Sequence, residues 1–135
     1  MPAGIKEDGS KYKVLIVDDS IFVVKQLRKI LEEEEFEIVD SASDGEDGFE
    51  KYKQHHPEID VVTMDITMPK MDGITSLEKI IAFDGSAKVI MISALGKEDL
   101  VKKALISGAK NYIVKPLDRV KVIERIKSVL DGVKK

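Results

Sequence analysis

Polar side chains stand at the ends of several short apolar runs in this sequence. In chain order, these side chains belong to Asp18, Asp19, Asp65, Ser93 and Lys115. Each of them has a simple structural explanation by itself, as a helix cap, a turn residue or a solvated charge. Their recurrence at equivalent places is harder to explain in that way, and it predicts one shared polar site.

The acids in this set favour a hard divalent cation. Carboxylates brought close together raise each other's pKa, and a bound cation relieves that repulsion. Mg²⁺ prefers oxygen ligands, commonly one or two carboxylates with water and a phosphate. Zinc is not predicted, because the chain has no cysteine and its two histidines, His55 and His56, are interpreted as solvated surface residues at a helix end.

A carboxylate beside Mg²⁺ can act as a nucleophile toward phosphorus and form an aspartyl-phosphate. Phosphoryl transfer mainly requires positioning and the neutralisation of charge. Lys115 can supply a compact positive charge, and Ser93 a hydroxyl for a phosphoryl oxygen. The set therefore predicts a Mg²⁺-dependent phosphoacceptor site with Asp65 as the acceptor.

The apolar runs are predicted to be strands, because they are short, rich in β-branched residues and bounded by turn residues. The predicted strands are Lys13–Val17, Glu37–Ala42, a run from Val61 that ends at or just before Asp65, Lys88–Ile92 and Asn111–Val114. Strands that alternate with amphipathic helices predict a parallel sheet with helices on both faces. The carboxyl ends of such strands meet at one edge, where ligands bind in this class of sheet.

Helical spacing of apolar residues predicts a helix after each strand. The first helix carries apolar residues from Val23 to Leu31 and is ended by the acidic run Glu32 to Glu35, and the second runs from about Gly45 to His55. The third starts at Asp72 or Gly73 and ends at Asp84, the fourth contains Leu100 to Leu105, and the fifth carries a stripe from Val122 to Val133. Ser20 or Asp19 is expected to cap the first helix.

Composition fits one domain with one hydrophobic core, since 43% of the 135 residues are hydrophobic. A net charge of −3 argues against a nucleic-acid binder. No apolar run approaches the roughly 20 residues of a membrane span. Residues 1–11 lack the apolar core of a signal peptide and are predicted to be a flexible leader, with the domain at 12–135. The absence of cysteine suits a cytoplasmic protein.

Four motifs together resemble those of the receiver domains of two-component response regulators, and most closely the CheY group of stand-alone chemotaxis receivers. They are Val17-Asp18-Asp19-Ser20, the stretch Met64-Asp65-Ile66-Thr67-Met68-Pro69-Lys70-Met71-Asp72-Gly73, Ile92-Ser93-Ala94 and Tyr112-Ile113-Val114-Lys115-Pro116. The resemblance runs from Lys13 to about Val133. It implies a doubly wound (βα)5, flavodoxin-like fold with strand order 2-1-3-4-5, an order carried over from CheY itself.

The resemblance also implies a role for each site residue. Asp65 would accept a phosphoryl group from the phosphohistidine of a sensor histidine kinase, CheA in chemotaxis. Asp19, Asp65 and the backbone carbonyl of Thr67 would ligate Mg²⁺, and Asp18 would help directly or through water. Lys115 would bridge to the phosphoryl group, and its bond to Pro116 is commonly cis in the family.

A switch from this site to a distant surface is implied as well. Ser93 would move toward the phosphoryl group, and Tyr112 would turn inward behind it. That movement would change the face of helix four, strand five and helix five, which binds the flagellar switch protein FliM in chemotaxis. An aspartyl-phosphate phosphatase would end the signal. The resemblance implies a phosphoacceptor signalling protein and not an enzyme, since the chain would catalyse only its own phosphorylation and slow dephosphorylation.

Other functions stay open at this point. The chain could be a phosphorelay intermediate or the receiver of a larger regulator. A Mg²⁺-dependent phosphatase of the haloacid dehalogenase type also uses an Asp after a strand, but it usually carries a second Asp where this chain has Thr67. A flavodoxin-like FMN protein would share the fold, but Asp18 and Asp19 would repel its phosphate.

Overall fold

The computed structural model describes residues 2–132, in which strands and helices alternate along the chain. The strands are β1 (Lys13–Val17), β2 (Glu37–Ala42), β3 (Val61–Asp65), β4 (Val89–Ser93) and β5 (Asn111–Val114). The helices are α1 (Ile21–Glu33), α2 (Gly45–His55), α3 (Gly73–Phe83), α4 (Glu98–Ile106) and α5 (Arg119–Leu130). None of these helices is long and apolar enough to cross a membrane.

The five strands form one parallel sheet in the order β2-β1-β3-β4-β5, which confirms the predicted fold. Val17 at the end of β1 pairs with Met64, Asp65 pairs with Ile92, and Ser93 at the end of β4 pairs with Val114. This register brings the carboxyl ends of β1, β3, β4 and β5 to the same edge of the sheet.

Each face of the sheet has its own hydrophobic core. On one face, α1 and α5 cover β-strand residues, with Leu27 and Ile126 fully buried. On the other face, α2, α3 and α4 pack against alternate residues of the same strands, with Leu77 and Ala104 fully buried. Because successive strand side chains point to opposite faces, the central strands are apolar almost throughout.

Side-chain caps fix where the helices begin. The Ser20 hydroxyl accepts from the Val23 N–H at 3.3 Å, so Ser20 is the cap of α1. Asp72 caps α3, which therefore starts at Gly73. Some bounds differ from the prediction: β4 extends to Ser93, and α4 begins earlier, at Glu98. The predicted position of Val133 on the last helix lies outside the described residues.

The N-terminal segment is packed against the domain, which differs from the predicted flexible leader. Ile5 and Lys11 form an antiparallel bridge. The Gly4 N–H donates to the Glu34 carbonyl at 2.8 Å, and the Gly4 carbonyl accepts from the Tyr12 N–H at 2.8 Å. A side chain at Gly4 would overlap the backbone nitrogen of Phe36. Composition alone does not show this docking, since it depends on a close approach of backbone to backbone.

His56 is exposed as predicted, whereas His55 is more covered, and each of the two lies near an acid. His55 lies 3.0 Å from Asp40, and His56 lies 3.4 Å from Asp84. The exposed fractions of the two side chains are 25% and 37%. Each histidine therefore ties the end of α2 to a neighbouring element.

Candidate functional site

Three carboxylates converge at the carboxyl edge of the sheet. Asp18 and Asp19 follow β1, and Asp65 is the last residue of β3. One oxygen from each lies within 4.8 Å of the others. Asp18 and Asp65 are 2% and 6% exposed, whereas Asp19 is open to solvent at the rim. The predicted convergence of these acids is confirmed.

Lys115 reaches the acids from the segment after β5. Its Nζ lies 3.7 Å from Asp18 Oδ2 and 3.6 Å from Asp65 Oδ1. The Lys115–Pro116 peptide bond is cis, as the resemblance implied. At these distances the positive charge of Lys115 stabilises the two carboxylates, but its ammonium group is too far away for a short hydrogen bond to either.

One ammonium does not offset the cost of placing these acids together. Burial and, after it, the nearby charge of Asp18 raise the pKa of Asp65 to about 7, although Lys115 acts to lower it. Burial also raises the pKa of Asp18, against the opposing effects of the Ser20 N–H and Lys115. The pocket therefore carries an excess of unneutralised negative charge near neutral pH.

One oxygen of Asp18 shows that these residues fit a cation. Asp18 Oδ1 accepts from the Ser20 N–H at 2.9 Å, but the buried Oδ2 has no hydrogen-bond partner among the described residues. An unsatisfied buried carboxylate oxygen is costly, and a cation with oxygen ligands removes that cost. Asp18, Asp19 and Asp65 could thus hold a metal ion. Thr67 lies two residues beyond Asp65, with its side chain exposed.

Ser93 ends β4, the strand next to the one that carries Asp65, and Tyr112 lies on β5, one strand further away. Ser93 is 1% exposed, and its hydroxyl donates to the Ala94 carbonyl at 2.9 Å instead of to an acid. Tyr112 is partly buried against the core below α4, and its ring lies 5.1 Å from the Arg125 guanidinium. Both residues line the space between α4 and β5. Their switching roles stay predictions.

A cavity connects these two residues to the surface. It has a volume of about 340 Å³ and lies between α4, β5 and the segment that joins β4 to α4. Its lining includes Ser93, Tyr112, Val101 and Leu95. Sequence reasoning placed a functional face here but did not find a cavity, because side-chain packing between α4 and β5 creates it.

Sequence reasoning also missed the residues that hold the acids in place. A side chain at Gly73 would overlap the backbone carbonyl of Asp65, and one at Gly45 would overlap the carbonyl of Met71. The buried Ser76 hydroxyl donates to the Gly45 carbonyl at 2.7 Å. The only sequence signal for these contacts is a glycine near the start of each helix, which also fits an ordinary turn.

Comparison with known proteins gives consistent matches. The family model described as response regulator receiver domain matches residues 14–127. The chemotaxis protein CheY of Treponema pallidum is 68% identical over 96% of this chain and 90% of its own length. CheY of Bacillus subtilis is 46% identical over 89% of this chain and 98% of its own length.

A solved structure matches in three dimensions as well. It is a chain in the crystal structure of the CheX–CheY–BeF3–Mg²⁺ complex from Borrelia burgdorferi. That chain has a TM-score of 0.93 and 62% sequence identity, and the match covers 98% of both chains. The similarity therefore extends over the leader as well as over the sheet and its helices.

Proposed function

This chain belongs to the response regulator receiver family, and we propose that it is a chemotaxis response regulator that is switched by phosphorylation of Asp65. The observation that carries the proposal is the cluster of Asp18, Asp19 and Asp65 with Lys115 beside it. Its relatives named as chemotaxis proteins CheY support the pathway.

The cation proposed for the site is Mg²⁺. Asp18, Asp19, Asp65 and the backbone carbonyl of Thr67 would hold it, which gives the all-oxygen set that this ion prefers. When bound, Mg²⁺ supplies positive charge for a phosphoryl group and for the acids around it. The unpartnered Oδ2 of Asp18 supports this assignment, because it offers a free ligand atom inside the pocket.

Asp65 is the proposed nucleophile. One of its carboxylate oxygens forms a bond to phosphorus while the bond from phosphorus to the donor's histidine nitrogen breaks, and that nitrogen keeps the electron pair. The charge on the transferred group needs counter-charge within the pocket. Lys115, at 3.6 Å from Asp65 Oδ1, is positioned to supply it.

We propose that Ser93 and Tyr112 transmit the phosphorylation state of Asp65 to the α4–β5–α5 face. Ser93 would exchange its bond to the Ala94 carbonyl for one to the phosphoryl group, and Tyr112 would then move toward the space behind it. The lining of the cavity includes exposed apolar side chains, with Leu95 79%, Leu105 38% and Val114 38% exposed. Exposed apolar residues of this kind are typical of a protein-binding face.

The proposed partners follow from the same function. A CheA-like histidine kinase would supply the phosphoryl group, a FliM-like flagellar switch protein would bind the α4–β5–α5 face, and an aspartyl-phosphate phosphatase would remove the signal. The complex of the Borrelia chain with CheX supports a partner of that kind. We propose the cytoplasm as the place of action. We propose that the chain catalyses only its own phosphorylation and slow dephosphorylation. Thr67 stands where a phosphatase of the haloacid dehalogenase type usually has its second Asp.

Acetyl phosphate tests the acceptor assignment directly. We expect a mass increase of one phosphoryl group in the wild type with Mg²⁺ and none with EDTA. Asp65→Asn should give no adduct under either condition, because the carboxylate oxygen that attacks phosphorus is gone. Intact-protein mass spectrometry measures both.

Asp99→Asn serves as the control, since Asp99 is an exposed acid at the start of α4. It should be phosphorylated like the wild type. An adduct of undiminished size on Asp65→Asn would contradict the assignment of the acceptor.

A further inference from the structure

The start of α2 is tied to the segment that follows Asp65. The Ser76 hydroxyl, on α3, donates to the Gly45 carbonyl at 2.7 Å, and the Gly45 N–H donates to the Met71 carbonyl at 3.0 Å. Ser76 is completely buried. Both polar groups of the first residue of α2 are therefore bonded to the part of the chain between Asp65 and the second turn of α3.

The same end of α2 packs against the residue before the β1 acids. A Cβ at Gly48 would lie 2.9 Å from both methyl carbons of Val17, and Val17 directly precedes Asp18. Such a contact is closer than an ordinary side chain allows, so Gly48 brings the helix backbone onto β1. The first turn of α2 thus touches both acid-bearing segments at once.

The segment between Asp65 and α3 is also held close to Asp65 where it joins α3. The Gly73 N–H donates to the Ile66 carbonyl at 2.7 Å, and a side chain at Gly73 would overlap the Asp65 carbonyl. This segment contains Thr67. Its two ends are therefore held, one on Asp65 itself and one on α2 through Met71 and Ser76.

A serine in the interior of a buried helix face needs a reason. A buried hydroxyl costs free energy unless it is hydrogen-bonded, and in a helix it usually bonds to a carbonyl of its own helix. Ser76 instead bonds to another helix, 31 residues away in the chain. Its neighbours on α3, Leu77 and Ile80, are buried apolar residues. Hydrophobic packing at this position would therefore be served equally well by an alanine.

We propose that Ser76 is a positioning residue for the metal site, because its bond to Gly45 fixes the segment after Asp65 relative to the acids after β1. This inference rests on the proposed function. Metal sites require their ligands within about 0.5 Å of the working geometry, so a small shift between the two segments weakens binding. Ser76 contacts no ligand itself and acts through the start of α2.

Ser76→Ala tests the proposal through Mg²⁺ affinity, measured on the full chain by isothermal titration calorimetry. We expect binding to weaken by about tenfold, the lower end of the effect of residues outside the ligand set. Hydrogen exchange at the Gly45 amide should become faster, since its bond to Met71 loses support. Ser76→Cys keeps the side-chain size with a weaker donor and should give a smaller loss of affinity.

Ile80→Val is the matched control, because Ile80 is buried on the same helix one turn further from the acids. It should lower the melting temperature and leave Mg²⁺ affinity unchanged. Wild-type affinity in Ser76→Ala, or an equal loss in Ile80→Val, would overturn the inference while the proposed function stands. A wild-type chain that binds no Mg²⁺ would overturn the proposed function and this inference together.

Discussion

Asp65 and Asp84 are two acids whose surroundings have opposite effects on their pKa values. Asp65 lies at the carboxyl end of β3, and Asp84 lies at the other edge of the sheet. Asp84 follows α3 and precedes β4. It accepts from the Tyr52 hydroxyl at 2.7 Å and from the Ser86 N–H and hydroxyl at 3.0 and 2.8 Å, and His56 lies 3.4 Å away. The hydrogen bond from Tyr52 is the main reason that the pKa of Asp84 is lowered.

Asp65 is supported mainly by one charge at longer range, the Lys115 ammonium at 3.6 Å. Burial and Asp18 raise its pKa to about 7, and the neighbouring Oδ2 of Asp18 has no hydrogen-bond partner within residues 2–132. The comparison separates two uses of an acid in one fold. Asp84 stabilises the packing of α2 on α3, whereas the Asp65 pocket lowers stability and is retained for binding and chemistry.

The largest expected effect falls on the well-satisfied acid. Asp84→Ala should lower the free energy of unfolding by about 2–3 kcal/mol, because it leaves the buried Tyr52 hydroxyl without its charged partner. Urea unfolding measures the change, and Asp99→Ala, at an exposed site, is the control. A loss no larger than that of the control would remove the contrast between the two acids.

The metal-free pocket should respond in the opposite direction. Asp65→Asn is expected to raise the free energy of unfolding at pH 8 in EDTA by about 1–2 kcal/mol, since it removes one of the repelling charges from a site whose rim is open to solvent. The same urea experiment tests it. Destabilisation by this substitution would show that the site is not strained by charge.

Mg²⁺ should narrow the difference in stability between the wild type and Asp65→Asn. At tenfold excess over its dissociation constant, the ion should stabilise the wild type by about 1.4 kcal/mol. Asp65→Asn should gain less, because a ligand is missing, while Asp84→Ala should gain as much as the wild type. Thermal unfolding with and without the ion distinguishes these cases, and an equal gain in Asp65→Asn would place the ion elsewhere.

The smallest expected effect is a pH dependence confined to the pocket. A carboxyl whose folded-state pKa is raised binds more protons in the folded state, so the free energy of unfolding falls as pH rises from its ordinary pKa of 3.8 to about 7. We expect a fall of about 1 kcal/mol between pH 5 and 7 in EDTA.

Asp65→Asn should flatten that dependence. Asp84 contributes with the opposite sign and in a lower range: its lowered pKa gives stability that is lost only as pH falls below about 4. A pH profile of urea unfolding for both variants separates the two contributions. An unchanged slope in Asp65→Asn would assign the pH dependence to other groups.

The local pattern of the chain predicted most of the fold. Lys13–Val17 and Asn111–Val114 are strands with the predicted bounds, and Gly45–His55 is the predicted helix. These elements follow from apolar periodicity and turn residues, which act over a few neighbours. The strand order came only with the family resemblance, because periodicity does not say which strands are neighbours.

The contacts of the N-terminal leader and of the two histidines could not be predicted from local sequence patterns. The segment at Ala3 and Gly4 docks on Glu34, whose carboxylate also accepts from Arg119 at 3.1 Å. His56 lies 3.4 Å from Asp84 at the end of α3. These partners are distant in sequence. From polar composition alone, the leader and the end of α2 were therefore predicted to make no contact with the rest of the domain.

The sequence by itself determined the chemical set: three acids, a lysine and a hydroxyl, each at the end of a strand, because strand periodicity and turn residues place them there whatever the rest of the chain does. Tertiary structure decided how closely they meet and at what cost. The parallel register places Asp18 and Asp65 side by side, burial raises their pKa values, and Gly45, Gly73 and Ser76 fix the spacing between them. Those quantities depend on contacts between distant segments, and these form only when the whole sheet is assembled.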